Sequence, residues 1–298
     1  MSAPAAAGPP CNAMSVDVED WFQVQAFAQA IRREDWDSLA SRVEENTNRV
    51  LDAFAAAGVR ATFFCLGWVA ERQPVLIRRI VAAGHELASH GYGHEQVDAI
   101  GEAAFRADIR RARRVLEDAG GVAVTGYRAP TFSIGPRTPW AHAVLAEEGH
   151  RYSSSVFPVR HDLYGAPDAP RGPHRPRPDG VVELPMTTVR AGGDRRGRNL
   201  PCAGGGWFRL MPYPLFRFGL RRVNRTEGRA GIFYFHPWEV DPGQPRVAAG
   251  RLSRFRHYTG LSRMEGRLER LLRDFSWGRM DEVFADAIRG QKAMETLS

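Results

Sequence analysis

Cysteine is scarce in this 298-residue chain, where Cys11, Cys65 and Cys202 form an odd number at wide, unrelated spacings. That excludes a disulfide framework and a cysteine-rich zinc site, and it is compatible with a reducing compartment. Lysine is scarcer still. Of 41 basic residues only Lys292 is a lysine, and the arginines are spread along the chain rather than gathered in a block, so the net charge of +7 does not mark a nucleic-acid face. No run reaches the roughly 18 apolar residues of a membrane span. The N-terminus lacks a basic n-region and an apolar h-region, and no export signal is expected from it.

What is present is the profile of a globular protein: 43% hydrophobic, 25% charged and 10% aromatic residues, in a chain long enough for one large or two modest domains. Residues 1–13 are mostly small, Pro-rich and uncharged, and are expected to form a disordered leader. From there short β-rich runs alternate with helical stretches, which predicts an α/β fold with a largely parallel sheet. The expected strands are 14–18, 61–67, 85–91, 122–128, 151–157, 181–186 and 231–236, about seven in all.

Between them Leu39, Val43, Thr47, Val50, Leu51 and Phe54 recur at helical spacing up to Gly58. Helices are also expected around 71–83 and 138–148. Phe105, Ile109, Ala112 and Leu116 mark an amphipathic helix whose other side carries Arg106, Arg110, Arg111, Arg113 and Arg114, read as a solvated face. The Pro-rich stretch 159–180 reads as a surface excursion and the Gly- and Arg-rich stretch 191–206 as a mobile loop. Leu261, Met264, Leu268, Leu271, Leu272 and Phe275 form one face of a last helix.

Four polar clusters fall where predicted strands end, the position from which loops of α/β folds converge on one pocket. His90 and His94 in SHGYGHE lie four apart, with Gly91 and Gly93 to let the backbone turn, so two imidazoles can meet one cation. In SVDVEDWF an extended backbone points Asp17 and Glu19 to one side and Val18 to the other, with Asp20 just beyond in the turn. Three acids in four residues repel unless a cation or an arginine neutralises them; the plainer reading is an acid patch at a helix start. Arg128 closes an otherwise apolar run and needs an anionic partner. His236 closes the most apolar strand, beside Pro237, Trp238, Glu239 and Asp241, and Trp207 in GGGWFRL offers a flat face for a sugar ring.

In order and spacing, SVDVED, SHGYGH, YRAPTFS, YSSSVFP and YFHPWE resemble the five motifs of the polysaccharide deacetylases, the NodB-homology enzymes of carbohydrate esterase family four. GGGWFRLMPY, FYFHPWEVDPGQP and FRHYTGLSRMEGRLERLL resemble the C-terminal half of the subgroup associated with exosortase (PEP-CTERM) and exopolysaccharide loci. The resemblance implies a distorted (β/α) barrel over residues 14–290, with 159–290 as a family-specific C-terminal extension. It implies one divalent metal, zinc first with cobalt or another ion as alternatives, on Glu19, His90 and His94. Asp17 then becomes the general base, Arg128 its orienting partner and His236 the general acid, with Pro130, Trp207 and Trp238 against the substrate.

Two departures stand out. Val18 occupies the place of the family's second aspartate, which leaves the metal carboxylate to Glu19 or Asp20. Ser153 stands where close relatives carry an Asp behind the catalytic histidine. The implied reaction is removal of acetyl groups from N-acetylated amino sugars of an exopolysaccharide or its lipid-linked precursor. The expected setting is cytoplasmic, with peripheral contact to an anionic inner leaflet that the net charge would favour, and with no nucleic acid. A non-haem iron oxygenase and a catalytically silent carbohydrate-binding module are the competing readings; the close pairing of the two histidines, far from the acid, argues against the first.

Overall fold

The computed structural model of the chain describes residues 10–192 and 197–290. Ten strands occur there: β1 (Asn12–Val18), β2 (Thr62–Cys65), β3 (Glu86–Ser89), β4 (Gly126–Tyr127), β5 (Tyr152–Ser153), β6 (Val182–Glu183), β7 (Thr188–Ala191), β8 (Arg198–Pro201), β9 (Ile232–Phe235) and β10 (Trp277–Gly278). Seven of them, in the order β9-β1-β2-β3-β4-β5-β6, run parallel and curl into a half-barrel. This is the distorted (β/α) barrel that the sequence resemblance implies. β10 extends the sheet below β2 by pairing with Asn12 and Ala13, and β7 and β8 form a separate antiparallel hairpin.

The long strands of the parallel sheet are buried on both faces, which is why they read as continuous apolar runs rather than as alternating ones. The two-residue period still sorts their side chains. Met14, Val16, Val18, Phe63, Phe233 and Phe235 pack outward against the helices, while Ala13, Phe64, Ile232 and Tyr234 belong to the inner cluster. Asp17 and Glu19 share the parity of Ala13 and face the barrel interior.

The outer layer comprises α1 (Val43–Ala57), α2 (Gly67–Arg72), α3 (Pro74–Ala82), α4 (Val97–Gly120), α5 (Ala141–Glu147), α6 (Gly205–Leu210), α7 (Tyr213–Arg225), α8 (Arg251–Tyr258) and α9 (Met264–Asp274). The single helix expected at 71–83 is two, because Pro74 offers no N–H to a continuing helix and drives Gln73 to φ −127°, ψ 54°. Leu39 and Leu261 share the apolar period of their helices but sit in short turns before them. The arginines of α4 are not simply solvated: Arg106 and Arg110 converge on Glu148 at 3.1 and 2.7 Å, and Arg113 bonds its carbonyl at 2.6 Å.

Two boundary expectations are corrected. Asn12 and Ala13, expected in the leader, belong to β1, since both pair with β10 and the N–H of Ala13 also reaches the carbonyl of Gly231 on the β9 side; residues 1–9 lie outside the described residues. The stretch 191–206, expected as a loop, includes β8 and the start of α6, with residues 193–196 outside the described residues. The excursion 159–180 is irregular, tied down by the bridge of His174 to Glu183 and by Arg171, which donates to Oγ1 of Thr188 at 2.9 Å and to Glu227 at 3.0 Å.

Phe54 shows how a helix is locked to this sheet. It is fully buried, with its ring 6.1 Å from Phe63, 6.2 Å from Phe235 and 5.9 Å from His85. Phe54→Ala should therefore destabilise the fold by about 3–5 kcal/mol, measured as a lower midpoint in denaturant unfolding. A loss below about 1 kcal/mol would show that α1 is not anchored there.

Candidate active site

All four polar clusters lie at the C-terminal ends of strands of the parallel sheet: Asp17 on β1 with Glu19 just after it, His90 after β3, Arg128 after β4 and His236 after β9. The guanidinium of Arg128 is fully buried. Its Nη1 donates to Oδ1 of Asp17 at 2.6 Å and to Oγ of Ser15 at 2.9 Å, and its Nε donates to the carbonyl of Ser154 at 3.1 Å. The partner expected for Arg128 is thus Asp17.

The carbonyl of Arg128 in turn accepts from Nδ1 of His90 at 2.9 Å, which fixes the tautomer and leaves Nε2 with its lone pair free. Gly91 follows with φ +77°, a left-handed turn that a Cβ would both strain and push into Asp108. Asp108 accepts the N–H of Tyr92 at 2.9 Å and so pins the loop that carries His94 around to the same point.

One ligand atom each from Glu19, His90 and His94 lie within 4.8 Å of one another, and all three residues are buried. His94 Nε2 is 2.8 Å from Glu19 Oε2, yet that oxygen has no aligned hydrogen-bond donor. A short contact without hydrogen-bond alignment between a buried carboxylate and an imidazole is what two lone pairs aimed at one cation produce, so the donor set fits a divalent metal. The other oxygen, Oε1, accepts from the indole N–H of Trp238 at 3.1 Å. Burial would raise the Glu19 pKa, but without a metal the charge that His94, His236 and His90 can take up outweighs it and holds the carboxyl well below the usual range. Burial pushes His90 down to about 4, against the pull of Asp17, and so keeps it a neutral ligand.

Asp20 is elsewhere. Its carboxylate accepts from Oγ of Ser41 at 2.6 Å and from the N–H groups of Arg42 and Val43 at 2.9 and 3.2 Å, at the start of α1. The acid patch at a helix start is the right reading for Asp20 and not for its two neighbours.

His236 brings its Nε2 to 3.6 Å from Glu19 Oε1, while its Nδ1 donates to Oε1 of Glu239 at 2.9 Å. Burial opposes protonation of this imidazole, but Glu19 and Glu239 prevail and raise its pKa to about 9; a cation on Glu19 would weaken that pull. Ser153 bonds Ser155 at 2.8 Å instead, so the acid behind His236 is three residues away on the same loop. Sequence reasoning noted Glu239 only as a rim residue.

A cavity of about 270 Å³ opens over these groups, lined among others by Asp17, His90, His94, His236, Trp207 and Trp238. Trp207 is half-buried in its wall, its indole N–H 3.3 Å from the Tyr164 hydroxyl. Trp238 is stacked between His236 and His257 at 4.9 and 4.2 Å. Pro130 is buried outside the lining, which at that point consists of Ala129, Thr131 and Phe132. Thr131 and Phe132 hold φ of +56° and +50° and His94 +58°, so every non-glycine residue of positive φ among the described residues lies at this cavity.

Comparison with known proteins fits the geometry. The family model "Polysaccharide deacetylase" matches residues 35–152, and a domain of unknown function, DUF3473, matches 154–285. A chitooligosaccharide deacetylase of Sinorhizobium fredii is 34% identical over 147 residues, 49% of this chain and 62% of the relative. A peptidoglycan-N-acetylglucosamine deacetylase of Bacillus cereus is 34% identical over 86 residues, 29% of this chain and 31% of the relative. These comparisons support the polysaccharide deacetylase family.

The chain thus spans about three fifths or less of those deacetylases, and of the two family models the second covers the half beyond residue 153. The fold shared with solved structures extends through both halves. A solved structure named for a polysaccharide deacetylase of Mycobacterium smegmatis aligns with 100% of this chain and 96% of its own at a TM-score of 0.62 and 22% identity. An allantoinase structure aligns with 100% of both chains at 0.56 and 18%, so the fold alone does not choose the substrate.

The roles of Glu19 and Asp20 can be separated by titrating a divalent metal into the chelated protein. Wild type should bind one ion, Glu19→Gln should lose that binding, and Asp20→Ala should keep it while losing about 1–2 kcal/mol of stability, the cost of a lost helix cap. Retained binding in Glu19→Gln would rule Glu19 out as the carboxylate ligand.

Proposed function

We propose that this chain is a divalent-metal-dependent hydrolase that removes acetyl groups from N-acetylated amino sugars. The observation that carries the reading is the meeting, at one cavity, of the Glu19, His90 and His94 donors with the Asp17–Arg128 pair and with His236. The family is generally dependent on a divalent metal, and His90, His94 and Glu19 would hold it. When bound, such an ion polarises the acetyl carbonyl and lowers the pKa of a water.

The chain's own residues supply the rest. Asp17, oriented by Arg128, takes the proton from the attacking water as its oxygen bonds to the acetyl carbon. Among the described residues the N–H of Ala129 is occupied by Oγ of Ser155 and that of Phe132 by the Ala129 carbonyl, and Pro130 has none. The strained Thr131 therefore presents the local N–H that can receive the developing oxyanion. His236 then gives its Nε2 proton to the sugar nitrogen as the C–N bond breaks, releasing acetate and the free amine. Trp207, with Tyr164 at its edge, provides a flat wall for a sugar ring.

The finer assignment is an exopolysaccharide or its lipid-linked precursor, with the chain in the exosortase-associated subgroup. It rests on the C-terminal motifs GGGWFRLMPY and FYFHPWEVDPGQP, which lie within residues 154–285. No helix among the described residues is long and apolar enough to cross a membrane. Action at the cytoplasmic face of an anionic membrane would use the charge of +7, and it predicts binding to anionic vesicles at low salt, lost in neutral ones.

The central experiment measures acetate release from N-acetylglucosamine oligomers and from exopolysaccharide, with zinc or cobalt restored after chelation. Asp17→Asn and His236→Ala should each lower the rate roughly 10²- to 10⁴-fold, the usual worth of positioned proton transfer, and His90→Ala should abolish the metal dependence. Metal binding without acetate release from any N-acetylated sugar would point instead to a silent carbohydrate-binding module.

A further inference from the structure

The GGGWFRL segment contributes Trp207 to the cavity wall, but its glycines and Arg209 have no part in the reaction above. Arg209 is 1% exposed. Its Nε donates to Oε2 of Glu239 at 2.6 Å, and its two terminal nitrogens donate to the carbonyls of Arg256 at 3.2 Å, His257 at 3.0 Å and Thr259. Glu239 is fully buried. Its Oε1 accepts both the backbone N–H of His236 at 3.1 Å and the ring Nδ1–H at 2.9 Å.

The glycines explain how this pair is fitted in. A Cβ on Gly205 would overlap the Glu239 carboxylate, and one on Gly204, at φ +85°, would come within 2.8 Å of the Tyr234 ring. The start of α6 can press against the end of β9 only without those side chains.

We infer that Glu239, clamped by Arg209, is the positioning residue of His236, and that the GGGWFR segment exists to deliver that clamp. A carboxylate cannot donate, so its contact with Nδ1 obliges that nitrogen to carry a proton and turns Nε2 to the cavity. The Arg209 fork matters because a buried carboxylate without a cation would itself take up a proton and lose its hold on the ring. Lysine would not replace it, since one ammonium cannot reach Glu239 and three carbonyls on the far side at once. In this chain the acid behind the histidine thus comes from its own loop and the cation behind the acid from α6, all three in the half of the chain that the deacetylase model does not match.

The inference rests on the deacetylase reading for its catalytic consequence, and its test separates the two. The metal-loaded full chain is assayed on an N-acetylglucosamine oligomer, whose amine must be protonated as it leaves, and on 4-nitrophenyl acetate, whose phenolate leaves unaided. Glu239→Gln should lower kcat on the oligomer about 10- to 100-fold, the typical cost of removing a histidine's outer partner. KM should hold, and the ester rate should stay nearly unchanged; Arg209→Lys should shift the same parameter in the same direction.

A purely structural role would lower both substrates in proportion, and that result, or a rise in KM at unchanged kcat, would overturn the inference. Proton NMR gives a readout independent of turnover. The His236 Nδ1–H, bonded to a carboxylate, should resonate far downfield in wild type and vanish from that region in Glu239→Gln and in His236→Ala. Persistence of the signal in Glu239→Gln sinks the positioning role even if no sugar substrate is found, whereas absence of acetate release by wild type sinks only the functional reading.

Discussion

A guanidinium with no access to water organises this site. Arg128 sits at the end of a two-residue strand, where its charge can be tolerated only if the surrounding side chains are arranged for it. Its head ties Asp17 and Ser15 on β1 to Ser154 beyond β5, and its backbone carbonyl orients His90. One residue thus fixes the acid proposed as base and one of the proposed metal ligands in a single frame. Removing it would leave Asp17 as an uncompensated buried charge, which is why its chemical role and its structural role cannot be separated.

A second buried ion pair, Arg209 with Glu239, repeats that arrangement on the other side of the cavity at a similar length. The two pairs come from different halves of the chain. The first joins β1, which precedes the residues that the polysaccharide deacetylase model matches, to the end of β4 within them. The second joins α6 to the loop after β9, within the domain of unknown function. The half-barrel closes its site only when β9 pairs with β1, so the C-terminal half supplies working parts of the same cavity rather than an appended domain.

Much of this was legible in the residues. The parallel sheet was readable because strands buried on both faces leave uninterrupted apolar runs, and the polar residues that end those runs stand out against them. Asp17, Glu19, His90, His94, Arg128 and His236 were named on that basis and all line or support one cavity. Less legible was anything depending on a partner distant in sequence. Asp20 and Glu19 are adjacent acids, and nothing local says that one will cap α1 while the other faces the histidines. Glu239 looked like a rim residue because its partner, Arg209, lies 30 positions away. The break at Pro74 is local, but the apolar period runs on across it and hides it.

The sequence by itself determined the strand and helix order, the parity that puts Asp17 and Glu19 on one side and Val18 on the other, and the glycine that lets the histidine loop turn, because each of these depends on a few neighbouring residues and on backbone sterics. The tertiary structure alone decided which carboxylate meets His90 and His94, which acid stands behind His236, and which arginine neutralises each buried acid. Those are long-range pairings, set by where the barrel brings strand ends together and by the high cost of leaving any one of these charges buried alone.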